Sequence, residues 1–109
     1  MPHYLVFWWF LVGHAVCDYP LQGDFLARAK SHKAPIPGIS WMVCLSAHAL
    51  IHAGAVTLIT NRIEIGIAEF ISHVLIDYGK SDGLWGFDFD QLLHILCKAL
   101  WLCWLIYLP

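Results

Sequence analysis

Glu69, His73 and Asp77 recur at intervals of four, so on a helix they line one face among Phe, Ile, Val and Leu. The same spacing joins His14 to Asp18, His48 to His52, and Asp90 to His94 and Lys98. Imidazole and carboxylate together are donors suited to zinc, iron and manganese. Ionisable groups on apolar helices are costly in a membrane and need compensation. Asp18, Glu69, Asp77 and Asp90 bring four negative charges, and Lys98 returns one. The remaining three call for protons or cations in a low dielectric. One or two divalent ions are therefore expected, zinc first, with iron or manganese as alternatives. The expected ligands are His14, Asp18, His48, His52, His73, Asp77, Asp90 and His94.

The elements that must position these groups follow from composition. The chain has 109 residues, 60% of them hydrophobic and 13% charged, with a mean hydropathy of +0.66. That profile is one of an integral membrane protein. Its length suits a single domain over residues 1–109, with four spans of roughly 20 residues each. The expected fold is all-α: a membrane-embedded antiparallel bundle of four transmembrane helices. The net charge of -2 gives no reason to expect a nucleic-acid partner. Four cysteines in apolar stretches, without a CxxC pair, read as small hydrophobes rather than a disulfide framework. Residues 4–12 lack a basic leader and a cleavage site, so they read as a retained membrane helix and not a signal peptide.

Helices are expected over about 2–19, 39–60, 63–79 and 88–107. Pro20 ends the first, Asn61-Arg62 links the second to the third, and Gly79 and Gly83 mark the last turn. A short interfacial helix or loop, about 22–30, is expected between helices 1 and 2. The basic residues around it, Arg28, Lys30, His32 and Lys33, read as a solvated loop. Trp41, Trp85, Trp101 and Trp104 read as interface belts or packing. At 1.5 Å rise per residue, an antiparallel arrangement puts Asp18, Asp77 and Asp90 within about 5 Å of one end. His14, His73 and His94 come about 5–10 Å deep, and His48, His52, Glu69 and Lys98 about 13–20 Å deep. All ten groups thus fall in one half of the bundle.

Four segments in order carry a resemblance: 14–24 (HAVCDYPLQGD), 46–52 (SAHALIH), 72–80 (SHVLIDYGK) and 90–94 (DQLLH). Together they resemble the small bacterial and bacteriophage membrane family DUF3307, of unknown function. The resemblance implies an integral membrane protein and draws attention to Gln22 and Lys80. A looser similarity runs to membrane-bound metal-dependent hydrolases and to zinc phospholipases C and related zinc nucleases. Their helical clusters use His-x3-Asp and His-x3-Glu pairs. His14/Asp18 has that order, whereas Glu69/His73 and Asp90/His94 reverse it.

The expected function is membrane-embedded, metal-dependent hydrolysis of a phosphoester or lipid head group through metal-activated water. Glu69 would be a ligand or general base, while Lys98 and Gln22 would orient substrate. Rival readings are proton or metal-ion translocation, haem-based electron transfer, and a structural metal in an interaction protein. Membrane lipids are the expected surroundings, and the apolar exterior also permits a homo-oligomer. Arg28, Lys30, Lys33 and Lys80 at the cluster's end outnumber Arg62 at the other. The positive-inside rule then puts the cluster in the cytoplasmic half of a bacterial inner membrane.

Overall fold

The computed structural model describes residues 1–109 as five helices with no strand. They are α1 (His3–Asp18), α2 (Gly23–Ala29), α3 (Trp41–Thr60), α4 (Ile63–Ser81) and α5 (Phe87–Tyr107). The α1 helix packs on α3 and α5, and α4 packs on the same two, while α2 lies against α3. The interior is therefore framed by four long helices, with α2 as a short appendage.

Local chemistry explains the boundaries. Pro2 opens α1, where its missing N–H costs nothing, and Pro20 follows its end. The Ser40 hydroxyl accepts from Val43 N at 3.3 Å and caps α3, so that helix starts at Trp41 and not at 39. Asn61, the only non-glycine residue with positive φ, ends α3 in the left-handed conformation at φ 56°. The α4 helix runs past its expected end at 79. Gly79 stays helical, its missing Cβ letting Trp85 pack directly over it, and the turn is made at Gly83, with φ 79°. Asp88 and Asp90 occupy the first turn of α5, where acidic groups favour the helix dipole.

Each long helix buries one stripe of four-spaced residues. In α1 it is Val6, Phe10, His14 and Asp18; in α3, Cys44, His48, His52, Val56 and Thr60. In α4 it is Ile65, Glu69, His73 and Asp77, and in α5 it is Asp90, His94 and Lys98, ending at Trp101. The apolar members meet as one core of Val6, Phe10, Val56, Ile65 and Trp101. The polar members fill the other half of the same interior.

Polarity is thus inverted relative to a water-soluble bundle. Buried polar residues are as numerous as buried hydrophobic ones, while Leu58, Val43 and Leu75 stand exposed on the surface. Two helices, α3 and α5, are long and apolar enough to cross a membrane. The α1 helix has 16 residues, and α4 carries Glu64, Glu69, Asp77 and Lys80.

Candidate metal centre

The polar stripes converge through their ring and carboxylate tips. Asp18 Oδ1 lies 2.9 Å from His52 Nε2 and 3.2 Å from His48 Nε2. His48 Nε2 is in turn 3.2 Å from His73 Nε2. One donor atom from each of Asp18, His48, His52 and His73 lies within 4.8 Å of all the others. Ligands at 2.0–2.1 Å around a tetrahedral ion are about 3.3 Å apart, so these spacings fit such an ion.

His73 supplies the sharper test. Its Nδ1 faces Glu69 Oε2 at 3.0 Å, and a carboxylate oxygen only accepts, so Nδ1 carries the hydrogen. In the neutral ring, Nε2 then presents a lone pair. That lone pair faces Asp77 Oδ2 at 3.4 Å and His48 Nε2 at 3.2 Å. Acceptors gathered this closely in a buried site are relieved by a proton shared among them or by a metal cation. The donor set therefore fits a cation.

Glu69 is itself fully engaged. Besides His73, it accepts from Lys98 Nζ at 2.5 Å and from Trp101 Nε1 at 3.0 Å, both on Oε1. The structure places Glu69 behind His73 and Lys98 behind Glu69, both 2% exposed or less. Trp101, expected as packing or belt, is a hydrogen-bond donor to this group. It lies three residues after Lys98, on the same face, and that spacing was the legible signal.

Asp77 points its two oxygens in different directions. Oδ2 lies 3.5 Å from His48 Nε2 and accepts from Lys30 Nζ at 3.0 Å. Oδ1 lies 3.1 Å from His94 Nε2. Asp90 Oδ2 is 3.6 Å from His94 Nε2 and accepts from Gln91 Nε2 at 3.2 Å. His14 Nε2 sits 3.0 Å from Gln91 Oε1 and 3.3 Å from Asp18 Oδ2, and belongs to none of the compact donor groups. Gln91 also donates to Asp18 Oδ2 at 3.0 Å, linking α5 to α1. Adjacent to Asp90 in sequence, Gln91 offers no four-residue spacing by which to be found.

The expected solvated loop is corrected in part. Lys30 reaches back from the end of α2 to Asp77 and to Gln22 Oε1, at 3.0 and 2.5 Å, with its side chain 12% exposed. Gln22 Nε2 in turn donates to Asp18 O at 3.1 Å. His32 bonds Asp82 at 2.6 Å and stacks on Tyr78 with centroids 3.7 Å apart, whereas Lys33 remains mostly exposed. Lys80 lies over the Phe87 ring, outside the cluster. With Lys30 present, four carboxylates face two ammonium groups, and the residual is two negative charges rather than three. The stacked rings of His52, His73 and His94, 3.8 and 4.1 Å apart, leave no width for a haem plane. Three apolar surface grooves, lined by residues such as Leu50, Leu58 and Ile51, do not reach the cluster.

A family model described as "Protein of unknown function (DUF3307)" matches residues 6–107. The chain belongs to the DUF3307 family. The match spans every cluster residue of this DUF3307 protein, and parts of all five helices. No curated protein and no solved structure matches it.

Proposed function

We propose that this DUF3307 protein is an integral protein of the bacterial inner membrane that works as a metal-dependent hydrolase on a phosphoester or lipid head group. In this reading α1, α3, α4 and α5 all cross the bilayer as an antiparallel bundle. The 45 Å long axis supports it, matching the roughly 40–45 Å thickness of a bilayer with its head groups. The apolar exterior around a polar interior supports it too. Arg28, Lys33 and Lys80 against Arg62 favour a cytoplasmic cluster end, with Lys30 already paired inside.

The four-donor set of Asp18, His48, His52 and His73 carries the proposal. Zinc suits it best, and iron or manganese share its donors. When bound, such an ion supplies Lewis-acid polarisation of a phosphoryl or acyl oxygen and makes water acidic enough to attack near neutral pH. Glu69 holds the His73 N–H and fixes the tautomer that leaves Nε2 free to ligate. Lys98 and Trp101 hold Glu69 in turn, so Lys98 acts through Glu69 and does not meet substrate. His14 and Gln91 orient Asp18. Lys30, positioned by Gln22, is the cation placed to meet a phosphoryl oxygen.

Metal analysis of purified, tag-free protein should find stoichiometric transition metal, lost in His48→Ala/His52→Ala. The loaded protein should hydrolyse model phosphoesters, and the double variant should not. Absence of any bound metal defeats the reading. A closed set of four protein donors also suits a structural ion. Metal that is needed for folding, with no hydrolysis of phosphoesters or acyl esters, would select that alternative. Translocation is disfavoured by the Val6, Phe10, Val56, Ile65 and Trp101 core, which fills the interior beyond Glu69.

A further inference from the structure

The first donor set does not use all of the buried acid. Asp90 is 2% exposed, yet its Oδ1 has no hydrogen-bond partner. A buried carboxylate oxygen without a donor is a costly arrangement. One donor atom each from Asp77, Asp90 and His94 lies within 4.8 Å of the other two. His94 lies outside the compact group of Asp18, His48, His52 and His73, so the four-donor set does not extend to it. Asp77 spans the gap, with Oδ2 toward His48 and His73 and Oδ1 toward His94.

We infer that Asp77, Asp90 and His94 form a second divalent-cation site, bridged to the first by the Asp77 carboxylate, that fills together with a phosphate-type anion. The inference rests on the metal reading of the first site and deepens it by placing a second cation, and the anion it needs, beside that site. Charge sets the anion requirement. Asp18, Glu69, Asp77 and Asp90 against Lys30 and Lys98 leave two negative charges, which the first divalent ion neutralises. A second divalent ion then brings two unbalanced positive charges into a buried site. A dianionic phosphoryl group cancels them, and Lys30 stands beside the bridging carboxylate to meet it. Three protein donors leave coordination positions open for that anion.

Equilibrium dialysis of tag-free, detergent-solubilised full-length protein against zinc, with and without inorganic phosphate, tests this. The wild type should hold one equivalent of zinc without phosphate and two with it. Asp90→Asn and His94→Gln should each stay at one in both conditions, with helical circular dichroism showing the fold intact. Using two variants guards against one that fails to fold. A wild-type count that stays at one with phosphate overturns the second site. So do two equivalents retained by a folded Asp90→Asn or His94→Gln. Two equivalents without phosphate, falling to one in both variants, overturn the anion linkage while supporting the second site. No zinc in any condition defeats the first-site reading instead, and the second site falls with it.

Discussion

Both ring nitrogens of His73 are engaged, Nδ1 by Glu69 and Nε2 by His48. In the proposed first site Glu69 acts through His73, so its removal should weaken binding without deleting one of the four ligands. Glu69→Gln should lower zinc affinity about 10–100-fold. It also leaves Lys98 buried without a counter-charge, a loss on the order of 3–5 kcal/mol. Glu69→Gln/Lys98→Met should recover most of the thermal stability while affinity stays low. Recovery of both properties in the double variant would show that Glu69 has no part in orienting His73.

Among the elements, the α3–α4 hairpin sets the site because His48 and His52 lie on one helix and His73 on the other. Close approach depends on Gly66: a Cβ there would overlap Thr57 Oγ1 and come within 3.1 Å of Ala53 O. Gly66→Leu should force these helices apart and lower bound metal, although every ligand is retained. Gly54→Ala, where a Cβ meets nothing within 4 Å, should leave metal content unchanged. Equal metal content in both variants would show that the helix spacing does not govern the site. At the hairpin tip, Asn61→Val should cost about 1–2 kcal/mol in a left-handed position, and Asn61→Gly should be tolerated, as read by thermal melting.

At the scale of the whole molecule, stability depends on net charge inside an apolar shell. Lys30 is the one cationic group that the α2 segment contributes to the interior balance. Lys30→Gln raises the uncompensated charge from two to three, so the metal-free protein should melt lower than wild type. Added zinc should then raise its melting temperature more than it raises that of wild type, because a larger charge is relieved. Equal melting temperatures and equal zinc shifts would remove Lys30 from the balance. The excess of Arg28, Lys33 and Lys80 over Arg62 carries the proposed orientation: a C-terminal tag should be cleaved by external protease in spheroplasts and protected in inverted inner-membrane vesicles.

Four-residue spacing was legible because the helix alone dictates it: Glu69, His73 and Asp77 share a face whatever surrounds them. The four long helices, their approximate limits and the gathering of His and Asp in one half follow from that periodicity and from the breaks between them, while the short α2 reads from sequence as either helix or loop. Which groups face which ion does not follow. His14 turns to Gln91 and Asp18, Glu69 is closed by Lys98 and Trp101, and Lys30 enters from a segment that reads as a polar loop. Those outcomes depend on distances between helices and on side-chain reach across them, which only the packed arrangement decides.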